Sequence, residues 1–158
     1  QGFGNTQQVT QMDLGRFNLP LLLIGPGIQE IFGAVRHTVG TQIDIVPTIM
    51  GRLGGETQHQ CWGRDLLNLP EGDKGFGVIK PSGSDQTVAI FTGDHILVEP
   101  RELEPRLYRY QLGNEFKAEL IQDPAQVTDL RKKLDSFIQT ATKSLLDNTA
   151  GAVESKQE

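Results

Sequence analysis

The stretch Thr87–Glu99, TVAIFTGDHILVE, decides what kind of fold this chain can have. Two runs rich in β-branched and aromatic residues are separated by Gly93-Asp94 alone. A two-residue link with glycine in first place predicts a tight hairpin, since glycine reaches the positive φ such turns require. Similar short runs flank it, Gly75–Lys80 (GFGVIK) before and Leu107–Leu112 (LYRYQL) after. Turn-forming clusters at Pro81–Asp85, Pro100–Pro105 and Gly113-Asn114 punctuate them. The region 75–122 is therefore expected to be an antiparallel meander, with LYRYQLGNEFKAEL supplying an edge strand and a turn.

The strongest helix signal comes next, over 123–148. Asp123 is placed as N-cap, Pro124 at the first helical position and Gln126 as capping-box partner. Val127, Leu130, Leu134, Phe137, Ile138, Ala141 and Leu145 fall on one stripe at 3- and 4-residue spacing. Asn148–Gly151 should end the helix, and 149–158 reads as a polar tail.

Upstream of the meander the texture differs. Residues 1–17 read as loop. Leu19–Ile24 (LPLLLI) is a short, unalternating apolar run closed by Gly25-Pro26-Gly27. Such a run predicts a strand buried on both faces, as in a parallel sheet. Asp44–Leu53 (DIVPTIMGRL) predicts a helix, with Asp44 as N-cap, Pro47 in the first turn and Gly54-Gly55 as terminator. A strand, a connection and a helix over 18–74 are the end of an α/β core. The expected class is thus α/β, or α+β for the chain taken in isolation.

Composition narrows the function. The 158 residues carry 15 Lys+Arg against 20 Asp+Glu, a formal charge of −5, and no basic stripe stands out. Nucleic acid is not an expected partner, because phosphate neutralisation needs clustered positive charge. One cysteine, Cys61, excludes a disulfide scaffold. No apolar run approaches the roughly 20 residues that span a bilayer, so no membrane insertion is expected of this segment. The chain opens at Gln1 in a glycine- and glutamine-rich stretch, QGFGNTQQVTQMD. That opening reads as a loop within something longer.

Three constellations hold residue types capable of chemistry. Asp94-His95 could supply two metal ligands at a strand end, but a site needs three or four that converge, so a turn followed by a strand start is preferred. Glu56, His59 and Cys61 are all zinc-ligand types, yet E-x-x-H-x-C lacks the paired clamps of a zinc site. There the expectation is a loop with a half-buried Cys61 and Trp62 packed on the core. Gly25-Pro26-Gly27 could cradle a phosphate, but proline removes one N–H and no dinucleotide or P-loop pattern follows, which leaves a turn. No catalytic, cofactor-binding or metal-binding residue is assigned on these grounds.

Three segments carry a family resemblance: RFNLPLLLIGPGI, VGTQIDIVPTIMGRLGG and CWGRDLL. Together they resemble the C-terminal part of the sulfatase-like members of the alkaline phosphatase superfamily, and most of all the lipoteichoic acid synthase and phosphoglycerol transferase branch. Phe17–Pro20 matches that family's strand and Gly25–Gly27 its turn. Thr41–Ile49 matches its Q-x-D-x-x-P-T helix start, and Trp62–Leu67 its W-G-R-D-L-L segment. The likeness runs over roughly 16–146.

The resemblance implies a parent enzyme that is extracytoplasmic and anchored to a bacterial inner membrane. It also implies a divalent metal, often manganese, and a threonine or modified Cys/Ser nucleophile acting on phosphodiesters or sulfate esters. The family's nucleophile and metal ligands lie upstream of the matched region, and its late Asp-His pair precedes the F-x-x-P segment. Asp94-His95 follows the W-G-R-D-L-L segment instead, so no catalytic residue carries over. The expected role is structural, as a C-terminal piece whose partner is the remainder of its own catalytic domain. Self-association of the isolated fragment through an exposed apolar strand is a further expectation. Two alternatives stay open: a free-standing assembly module, and a small metalloenzyme using Asp94, His95 and His59.

Overall fold

The computed structural model describes residues 4–5, 14–54, 59, 61–81, 86–112 and 116–149. The hairpin predicted from TVAIFTGDHILVE lies at the centre of the fold. Strands β3 (Val88–Thr92) and β4 (His95–Glu99) pair antiparallel, with Thr92 opposite His95 across the two-residue turn. Gly93 takes φ +54°, while Asp94 keeps a negative φ, as a turn led by glycine requires. Around this hairpin stand β2 (Phe76–Ile79), β5 (Arg106–Gln111), β6 (Lys117–Ile121) and the two-residue β1 (Gly4–Asn5). All pairs are antiparallel, and the sheet order is β1-β6-β5-β4-β3-β2. The class is α+β.

Alternation along the strands sorts side chains into two layers. Ala89, Phe91, Ile96, Val98, Tyr108, Tyr110 and Ala118 cluster with Leu14 on one face. Ile90, Leu97 and Leu107 cluster with Leu130 and Leu134 on the other. Those two leucines belong to the helix Pro124–Leu146, here α3, which lies across the sheet. Asp123 Oδ1 accepts the Gln126 N–H at 3.0 Å, so the predicted N-cap forms. Asn148 closes the helix at φ +50°, the left-handed conformation a C-terminal stop uses.

Two expectations change. Lys117–Ile121 is a full strand between β5 and β1, where the sequence promised only an edge and a turn. Its pattern is weakly apolar because only Ala118 is buried, so hydrophobic periodicity could not announce it.

The second change concerns Leu19–Ile24, which forms no helix and joins no ladder among the described residues. Leu19, Leu22 and Ile24 are 71%, 79% and 88% exposed, the reverse of a strand buried on both faces. The reason is topological. The sheet is a meander, and the segment that comes alongside the start of β2 is the one around Val39. There the Val39 N–H donates to the Lys74 carbonyl at 2.8 Å, and Val39 bridges Gly75 in parallel sense. A Cβ on Gly77 would come within 2.8 Å of Thr41 Cγ2, so this neighbour sits close.

The helix expected at Asp44–Leu53 forms as α2 (Ile45–Leu53), preceded by a 3-10 turn at Gln42–Asp44. A short helix α1 (Ile28–Phe32) follows Gly25-Pro26-Gly27, which forms the expected turn with Gly27 at φ +74°. The turns at 82–85 and 113–115 and the tail from 150 lie outside the described residues, as does most of the opening loop.

Candidate functional site

The two best-patterned segments, Thr41–Ile49 and Trp62–Leu67, meet in space. Asp44 was expected to cap α2. Instead it adopts helical geometry itself, and its carboxylate turns back and across. Oδ2 accepts the Thr41 N–H at 2.8 Å, half of a capping box around the 3-10 turn. Oδ1 accepts the Arg64 N–H at 2.7 Å. The Arg64 guanidinium comes back to the same carboxylate, Nε to Oδ1 and Nη2 to Oδ2, each at 3.3 Å. Asp44 is only 1% exposed, and the surrounding donors replace the water that burial takes from its carboxylate.

Thr48 and Arg64 extend this lock. The buried Thr48 hydroxyl donates to the Asp44 carbonyl at 2.6 Å and accepts the Leu66 N–H at 3.0 Å. Arg64 Nη2 also donates to the Phe76 carbonyl at 2.6 Å, which ties the motif to β2. Its guanidinium carbon stands 3.9 Å from the Phe76 ring centroid, in cation–π range. A second ion pair joins Arg52 of α2 to Asp65 at 2.7 Å.

Glycines let the segments close. A Cβ on Gly63 would overlap the Ile43 carbonyl oxygen, and one on Gly51 would overlap the Asp65 carboxylate. The Q-x-D-x-x-P-T and W-G-R-D-L-L patterns thus form one polar joint. Its acceptors face its own donors, which leaves the Asp44 carboxylate no free lone pair directed at a substrate.

The candidate chemical residues lie elsewhere. Asp94 sits in the β3–β4 turn and His95 begins β4, with Nδ1 2.9 Å from Asp94 Oδ1. Tyr110 on β5 straps this turn: its N–H donates to the Asp94 carbonyl at 2.8 Å and its hydroxyl to the Gly93 carbonyl at 2.6 Å. Burial, aided by the nearby Asp94 carboxylate, pushes the Tyr110 phenol up to about 12. His59 does not join Asp94 and His95, and no three metal-ligand side chains gather among the described residues. The described residues therefore do not fit the divalent metal that the resemblance implies, and no step is derived through one.

Of the second cluster, Glu56 lies outside the described residues. Cys61 Sγ approaches His59 Nδ1 at 2.7 Å beside an open groove of about 650 Å³ along α3. Trp62 is half-buried and meets α3, its indole N–H donating to Ser144 Oγ at 3.1 Å. The Asp44–Arg64 pairing was not foreseen. A carboxylate and a guanidinium twenty residues apart give no local signal, although glycine directly before Arg64 marks a close backbone approach.

Comparison with known proteins adds a limited likeness. No family model matches the chain, and no solved structure matches it. The multifunctional alkaline phosphatase superfamily protein PehA of Trinickia caryophylli is 39% identical over 51 residues, 32% of this chain. The chain spans about a tenth of the length of that curated relative. This likeness supports the alkaline phosphatase superfamily and nothing finer within it. No described helix is long and apolar enough to cross a membrane.

Proposed function

We propose that this chain is a structural C-terminal portion of a metal-dependent, sulfatase-like phosphoglycerol transferase or hydrolase. The parent would act on phosphodiesters or sulfate esters, and the chain by itself would not be catalytic. The observation that carries the proposal is the Asp44–Arg64 joint, a buried charged network spent on fastening two segments together. A catalytic carboxylate would leave an oxygen open to substrate or metal. The apolar surface from Phe17 to Leu53 adds support, because the sheet and α3 leave it uncovered and the rest of a larger catalytic domain would bury it. The nucleophile, the divalent metal (manganese or similar), the extracytoplasmic setting and the membrane anchor belong to the parent in this reading.

Extending the chain upstream along its gene tests the proposal. The extended product, loaded with manganese, is expected to turn over a phosphodiester or sulfate ester, while the 158-residue chain does neither. An extended product that binds no divalent metal and cleaves neither ester class would sink it. The runner-up is an assembly module without activity, which the same exposed surface favours. Stable capture of an unrelated folded partner, together with an inert extended product, would select that reading.

A further inference from the structure

We infer that Cys61 is a thiol–disulfide exchange site, at which His59 serves as general base and the groove along α3 selects small disulfides that carry negative charge. Two independent observations carry this. The first is the contact between the two side chains, Cys61 Sγ lying 2.7 Å from His59 Nδ1. With the ring proton on Nε2, Nδ1 accepts the thiol S–H and is placed to take that proton as the sulfur attacks. Cys61 is only half-buried and its contact with His59 is exposed, so a small reagent can reach the sulfur.

The second observation is the groove of about 650 Å³ that Cys61 lines, a volume within the range of small-molecule sites. Trp62, Phe76 and Phe137 give it an apolar wall, and its charged groups are Asp129, Lys132 and Lys133 of α3. Two cations against one carboxylate leave the groove positive. Neither lysine has a carboxylate partner among the described residues, and Lys133 Nζ instead stands 5.5 Å from the Phe76 ring centroid. Reactive cysteines sit in such electropositive, partly exposed surroundings, and the same charge concentrates an anionic reagent beside the sulfur. The step balances with the disulfide as its oxidant. The Cys61 sulfur attacks one sulfur of R–S–S–R, the S–S bond breaks and RS⁻ leaves with its electron pair. A Cys61–S–S–R mixed disulfide remains, and the thiol proton passes to His59 Nδ1. The exchange goes beyond the proposed function and uses none of the parent's catalytic groups.

Stopped-flow rates on the full 158-residue chain test this, with dithiobis(nitrobenzoate) as the anionic disulfide and dithiodipyridine as the uncharged one. Each rate is divided by that of the same chain unfolded in urea, which removes the probes' own reactivities. At neutral pH the folded chain should react with the anionic probe about tenfold faster than the unfolded chain. One adduct should form by mass, since Cys61 is the single cysteine. His59→Gln should lose that tenfold advantage, about the low end for a general base, and the deficit should close towards pH ~10, where hydroxide deprotonates an exposed thiol unaided. Lys132→Gln combined with Lys133→Gln should slow the anionic probe several-fold and leave the uncharged one unchanged. The three substituted side chains are exposed, so circular dichroism should match the wild type. A folded chain no faster than the unfolded one overturns the inference, as does a His59→Gln chain that reacts at the wild-type rate. Equal acceleration of both probes overturns the selection of anionic disulfides.

Discussion

The Asp44 carboxylate and the Arg64 main-chain N–H meet at 2.7 Å although twenty residues of chain separate them. This bond and the guanidinium contacts beside it hold the segment before α2 against the segment before β2. Because Asp44 is almost fully buried while Arg64 keeps partial access to water, the pair is asymmetric. Losing the carboxylate strands several donors at once, whereas losing the guanidinium leaves the carboxylate two main-chain donors.

Asp44→Ala is therefore expected to cost about 2–4 kcal/mol, the range for removing one partner of a largely buried charged network. Arg64→Ala should cost less, since Thr41 and Arg64 main-chain N–H groups still serve Asp44. Urea unfolding of both variants checks the order, and a larger loss for Arg64→Ala would contradict it.

Gly63→Ala places a methyl group against the Ile43 carbonyl, which belongs to the backbone and cannot swing aside. A loss of about 2 kcal/mol or more is expected, within the range for overpacking. Gly25→Ala serves as control: its φ is not positive and the nearest atom to its Cβ is the Ile28 side chain at 3.3 Å, so a loss of only about 1 kcal/mol or less is expected. Thermal melts of the two should separate clearly.

Leu134 has no solvent exposure and joins α3 to Ile90, Leu97 and Leu107 of the sheet. Leu134→Ala should destabilise by about 2–5 kcal/mol. Ile138→Ala, four residues along the same helix but 38% exposed, should cost much less. Chemical denaturation measures both, and equal losses would mean that α3 does not pack as described.

Tyr110 gives a signed pH dependence. Its phenol sits at about 12 in the folded chain, above the ordinary 10.0, because burial and Asp94 disfavour phenolate. The folded state thus holds this proton more tightly than the unfolded one. The contribution is fully present below pH 10, declines as pH rises from about 10 towards 12, and is gone above that. Tyr110→Phe should remove this part of the alkaline slope. At neutral pH it should lose about 0.5–1.5 kcal/mol for the bond to the Gly93 carbonyl. Stability curves from pH 8 to about 12 test both halves, and an unchanged slope in the variant would refute the assignment.

Local chemistry made much of the fold legible. Gly93-Asp94 announced the hairpin, Asp123-Pro124 the start of α3, and Leu130 and Leu134 the face that α3 buries. Each of these signals acts within one or two turns of chain, where neighbours alone set the energetics. Lys117–Ile121 escaped notice because a strand with one buried residue earns its place from ladder bonds to β5, not from its own apolarity. Asp44 was placed at the right helix start but given the wrong task.

The amino-acid sequence by itself determined the turns, the caps and the apolar faces of this protein, because their causes are local steric and hydrogen-bonding preferences. Only the tertiary structure decided that Asp44 serves Arg64 rather than α2, since the competing donor arrives from twenty residues away. It likewise decided the state of Leu19–Ile24. Whether an apolar run becomes a buried strand depends on which distant segment reaches a sheet edge, and here it is Val39, not Leu19–Ile24, that bridges at the start of β2.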